Sequence, residues 1–134
     1  MDFTPYTEHL KYRGYSTFRE DKSGATEILF AEGSPQGTLT LSKLPGSNFL
    51  LIRSNWSLGT TPTNIYQIVN TLNEQAVNIS SVWFYLTSDK TPALGISSVY
   101  FGDYDRERFT SVIETFFSDV TRVLGRDEVK ALSK

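Results

Sequence analysis

The stretch Asp105-Arg-Glu-Arg-Phe-Thr-Ser-Val-Ile-Glu-Thr-Phe-Phe-Ser-Asp-Val-Thr-Arg-Val-Leu124 decides how the rest of the chain is read. Its apolar residues are Phe109, Val112, Ile113, Phe116, Phe117, Val120, Val123 and Leu124, spaced by three and four. That is the repeat of one face of an α-helix, and the intervening residues are polar. Asp105 is placed to cap the start, because its carboxylate can accept from the first free backbone N–H groups. Tyr104 and Phe109 have the spacing of a hydrophobic staple. Gly125 is able to take a left-handed turn and close the helix. Eight such side chains at about 1.5–3 kcal/mol each give a gross burial term of roughly 12–24 kcal/mol, most of it offset by chain entropy. A helix so apolar on one side must lie on something.

Working back from it, the chain supplies a sheet. Ala93–Phe101 and Ser81–Thr87 read as strands joined by the turn Ser88-Asp-Lys-Thr-Pro92. Thr60–Thr63 offers caps and a proline for a second helix, with Ile65, Ile68, Val69, Leu72 and Ala76 on one face, ending near Asn78. Before it lie three strand-like runs, Thr26–Glu32, Thr38–Lys43 and Phe49–Trp56, separated by turns at Gly33–Gly37 and Leu44–Asn48. Residues 3–18 read as an opening helix ending near Gly14, with Thr4 as cap and Pro5 in the first turn. The closing Arg126–Lys134 reads as a loose charged tail. The order αβββαββα predicts a single α+β domain over 1–134, one antiparallel five-stranded sheet with helices mainly on one face.

Composition limits function. The chain has 134 residues, a formal charge of −2, 13% aromatics and no cysteine. Thiolate chemistry and disulfides are excluded, and the weak acidity argues against nucleic acid, which needs a concentrated basic surface. No apolar run approaches a membrane span or a signal peptide, so a cytoplasmic protein is expected.

Chemistry-bearing patterns are few. His9 is the single histidine and has no identifiable partner, so it reads as structural. No glycine-rich phosphate loop and no nucleophile elbow occurs. Asp103, Asp105 and Glu107 cluster at the head of the long helix and read as capping. Asp119, Asp127 and Glu128 read as solvated surface. No catalytic, metal or cofactor site is expected.

The aromatic run Trp83-Phe84-Tyr85 says more. In a strand, Val82, Phe84 and Leu86 face one way, Trp83 and Tyr85 the other. A similar doubling occurs at Phe49-Leu-Leu-Ile52. Two-sided apolar strands belong to a sheet covered on both faces or one that meets a partner. Trp56, Trp83 and Tyr85 either pack under a helix or loop, or form a dimer surface or peptide groove. Few basic residues interleave with them, which disfavours stacking on single-stranded nucleic acid. Trp83, Tyr85, Trp56, Leu50 and Ile52 are the candidate interface residues.

Asn70-Thr-Leu-Asn73, the strands Val82–Leu86 and Ile96–Phe101, and Phe109 with Phe116-Phe117 together resemble the YbjN-type family, which carries the loose label of sensory transduction regulator. The element order is similar to the fold of type III secretion chaperones of the CesT kind. The resemblance implies a small non-enzymatic protein- or peptide-binding module, often dimeric, chaperone-like or regulatory. The alternative is a small-molecule-binding domain or an enzyme whose polar site is assembled from groups such as Asn70, Asn73, Tyr85 and Ser97.

Overall fold

The long terminal helix is α3, Arg106–Gly125. Asp105 caps it by accepting a hydrogen bond from the Arg108 amide at 2.9 Å, and the rings of Tyr104 and Phe109 lie 5.9 Å apart. Phe109, Ile113, Phe116, Phe117, Val120 and Val123 are all buried. The expected left-handed closure at Gly125 is not used. The helix runs through Gly125 and ends when Arg126 turns extended, at φ −70° and ψ 140°.

The structure, a computed structural model, describes residues 3–133 except 16, 24, 25, 35, 36 and 45; for 17–23, 26, 27, 30, 32–34, 37 and 38 it describes the backbone alone. Two further helices precede α3, α1 (Thr4–Tyr12) and α2 (Ile65–Gln75), and a single turn follows it, α4 (Asp127–Lys130). Pro5 sits in the first turn of α1 as expected, but the capping position is Phe3, which offers no side-chain acceptor, and not Thr4. Gly14, at φ +101°, releases the chain from α1 in a conformation that a side chain would strain.

The five expected strands are present as β2 (Thr26–Ser34), β3 (Gly37–Lys43), β4 (Phe49–Ser57), β5 (Ser81–Leu86) and β6 (Pro92–Phe101). A sixth, β1 (Thr17–Ser23), extends the sheet beyond them. Its residues Arg19-Glu-Asp-Lys22 carry no apolar alternation, so sequence reading passes over it. A charged strand belongs at a sheet edge, where it discourages pairing with other chains. The centres of the turns read at 33–37 and 44–48 fall on residues 35, 36 and 45, outside the described residues.

All neighbours are antiparallel, in the order β1-β2-β3-β4-β6-β5. The segment carrying α2 therefore delivers a β5–β6 hairpin whose second strand pairs with β4, leaving β5 at the other edge. Alternate residues of the strands form the core: Leu29, Ala31, Leu39, Leu41, Leu50, Ile52, Val82, Leu94, Ile96 and Tyr100. They pack with Tyr6 and Leu10 of α1, Ile65, Val69 and Leu72 of α2, and the apolar face of α3. The helices thus cover one face, the architecture expected of α+β layering.

The tail is not loose. Val129 and Leu132, three apart, are buried, and the Gly59 amide donates to the Leu132 carbonyl at 2.7 Å. Among the described residues, no helix is long and apolar enough to cross a membrane.

Candidate functional site

The opposite face of the sheet is built by the other half of each strand. Register places Ile28, Ser42, Leu51 and Val99 in one row across β2, β3, β4 and β6. Thr40, Arg53, Ser97 and Ser81 form the next row, and Asn55, Gly95 and Trp83 the one after. Phe49 and Phe101 close the end, with ring centroids 5.7 Å apart. Phe101 is 59% exposed and Val99 is exposed as well. Among the described residues no helix covers this face.

Trp83 organises the middle. Directly opposite it stands Gly95, and a Cβ built there would lie 2.2 Å from the indole Cζ2. The indole therefore lies flat on the backbone of β6, in space that only glycine leaves open. The Arg53 guanidinium sits 5.3 Å from the Trp83 ring centre, a cation–π contact. Tyr85 stacks on the same indole at 6.2 Å and 29°, and its hydroxyl donates to Asn55 Oδ1 at 2.9 Å. Arg53 Nε is buried and has no hydrogen-bond partner among the described residues.

The structure brings together two of the five candidate interface residues. Trp83 and Tyr85 share this face. Leu50 and Ile52 do not: they are fully buried beneath the helices, so they are core, contrary to the expectation. Trp56 shares their parity, but at the end of β4 it passes the core, stays 41% exposed and donates its Nε1–H to Ser133 Oγ at 2.9 Å. The residues missed were Leu51, Val99, Phe49 and Phe101. Arg53 was the available signal. A charge is rarely buried without a partner, so odd-numbered positions of β4 had to face outward and even-numbered ones inward.

The polar alternative does not assemble. Asn73 is bonded to the backbone of Val82, Tyr85 to Asn55, while Asn70 is exposed on α2 and Ser97 lies on the sheet. His9 Nδ1 lies 2.9 Å from the Tyr104 hydroxyl and the ring packs edge-on to Phe109 at 4.9 Å. Burial, and then the nearby Arg13 and Arg106, hold His9 below its ordinary pKa of 6.5, so the ring is biased neutral. Among the described residues no group of His, Asp or Glu is arranged to hold a metal ion.

No protein-family model matches the chain, and no curated protein matches it significantly by sequence. By structure it is similar to YbjN, a candidate transcription regulator from E. coli, with a TM-score of 0.68 and 11% identity over 98% of this chain and 95% of that one. It is also similar to an uncharacterized protein from Methanothermobacter thermautotrophicus, with a TM-score of 0.65 and 13% identity over 92% of this chain and 94% of that one. At such identities the likeness establishes the fold, so the YbjN resemblance read from the sequence holds at the level of architecture. Neither of them specifies an activity for this chain.

Proposed function

We propose that the chain is a non-catalytic binding module that pairs with a second copy of itself through the helix-free face of its sheet, the dimer then serving a regulatory or chaperone-like role toward another protein or peptide. The observation that carries this reading is the row Ile28–Ser42–Leu51–Val99 beside Phe49 and Phe101, a largely apolar strip on a face that no helix among the described residues covers. Arg53 is the one charged residue at the outward positions of β4, β5 and β6. A nearly neutral, flat face meets its own copy without repulsion, and two sheets stack at about 10 Å with their side chains interdigitated. An isologous contact needs only that one patch. The orphaned Arg53 Nε adds a donor for which a partner surface would supply the acceptor.

Light scattering across a concentration series tests it. A mass about twice the 15.1 kDa of the chain is expected, and Leu51→Asp or Val99→Asp should return the protein to monomer with little change in melting temperature. A strict monomer at high micromolar concentration would overturn the reading.

A further inference from the structure

Three tyrosines crowd together where α1 meets the β6–α3 loop, and two of their hydroxyls are satisfied. Tyr100 donates to the Asp103 carbonyl at 2.9 Å and accepts from the Asp105 amide at 2.8 Å and Arg108 Nη2 at 3.0 Å. Tyr104 bonds to His9. Tyr6 differs. It is only 2% exposed, its ring is clamped edge-on against Tyr100, Tyr104 and Phe109, and its hydroxyl has no hydrogen-bond partner among the described residues. That hydroxyl is not one of the enclosed unpartnered side-chain atoms, so its donor is open to the cavity that Tyr6 lines.

Tyr6 lines a cavity of about 510 Å³ between the start of α1, the β3–β4 turn and the β6–α3 loop. Burial first, then Tyr100 and Asp103, push the Tyr6 phenol up to about 12, so it keeps its proton and remains a donor. Lys43 lines the same cavity. Its ammonium is held by the carbonyls of Leu44 and Ser47, which orient the charge without neutralising it. Pro5, Phe49 and Leu50 supply apolar wall. Asp103 at the rim is the one opposing charge of the lining, and Arg108, which stacks on Tyr100 at 4.9 Å, offsets it. A space of this size, mostly apolar with a few polar groups, is the usual form of a small-molecule site.

From the idle Tyr6 hydroxyl and the Lys43 ammonium at the edge of one apolar cavity, we infer that this cavity binds a small carboxylic acid with an apolar body, as its carboxylate. The carboxylate accepts from the Tyr6 hydroxyl and faces the Lys43 charge, and the body rests on Pro5 and Phe49. This inference does not depend on self-association.

The test is titration of the full chain, followed by backbone NMR, with acetate, phenylacetate and indole-3-acetate, and with phenylacetamide as the uncharged control. Phenylacetate should shift the amides of Asn48, Phe49 and Gly102 and bind roughly tenfold or more tighter than its amide, the worth of one good polar contact. Tyr6→Phe keeps the ring and its packing, so it should melt no lower than the parent yet bind phenylacetate roughly tenfold more weakly. No shifts with any of the acids, equal affinity for acid and amide, or unchanged affinity in Tyr6→Phe would each overturn the inference. A marked loss of stability in Tyr6→Phe would also overturn it, because the hydroxyl would then have its partner inside the protein.

Discussion

The carboxamide of Asn73 bonds to both polar groups of one backbone residue: Nδ2 donates to the Val82 carbonyl at 2.9 Å, and the Val82 amide donates to Oδ1 at 2.8 Å. Val82 lies on β5, an edge strand, with these groups turned away from β6. Asn73 thus stands where the next strand would. Asn73→Ala unmakes these two hydrogen bonds and a third, from Nδ2 to the Val69 carbonyl at 3.1 Å, and should cost about 1–3 kcal/mol in urea unfolding. It also opens the edge, so the variant should associate more as concentration rises. Parental stability in the variant would show that the clamp contributes nothing.

Asp119 is a second buried anchor. Its side chain is 0% exposed and accepts from the amides of Asn78, Ile79 and Ser80 at 2.9, 3.1 and 3.1 Å and from Arg122 at 2.7 Å. Burial, the largest single influence, pushes its pKa up, and these bonds together overcome it and hold the carboxyl below the ordinary 3.8. Because the folded value is the lower one, the stabilisation is complete above the unfolded value and is lost as pH falls through the folded one. Acid unfolding should therefore steepen below about pH 4, and Asp119→Asn should flatten it there. Asp119→Ala leaves three backbone amides without their acceptor and should cost about 1–3 kcal/mol for each that stays buried, while the exposed Arg122 is taken up by solvent. A variant as stable as the parent would contradict this.

At His9 the sign is the same for a different reason. A folded pKa below 6.5 means that the fold favours the neutral ring. Stability is complete above about pH 6.5 and falls as pH drops toward the folded value. Melting temperature should decline as pH falls below about 6.5, and His9→Gln, which keeps a hydrogen-bonding group near Tyr104, should remove most of that decline. An identical decline in the variant would assign it to another group.

Gly95→Ala reports on the open face. The new methyl would sit 2.2 and 2.3 Å from the Trp83 indole, so the ring must swing away from β6 and off Arg53. We expect a red shift and greater quenching of Trp83 emission, read in a Trp56→Phe background, with a loss of about 1–3 kcal/mol. If the sheet face is the dimer contact, self-association weakens as well. Unchanged emission would show that the indole does not lie on Gly95.

Much of the architecture was legible because burial writes a period into the chain. The eight apolar residues of α3, the Ile65–Ala76 face of α2 and the alternation in β3 each named their own element, and Asp105 marked a helix start that the structure uses. β1 was not legible, because its charged residues carry no alternation and its existence rests on pairing with β2. Asp119, read as solvated surface, is a core anchor. Its partners are the amides of residues 78–80, some forty positions away in the chain.

The sequence by itself determined which segments are helix and which are strand, β1 and the end of α1 excepted, since that depends on local spacing of apolar side chains. It determined also that no thiol chemistry is available. The tertiary structure alone decided that β6 lies between β4 and β5, that Leu50 and Ile52 turn inward while Leu51 and Val99 turn out, and that Tyr6 and Lys43 line one cavity. Those outcomes depend on register and on residues distant in the chain meeting in space, and no local period encodes them.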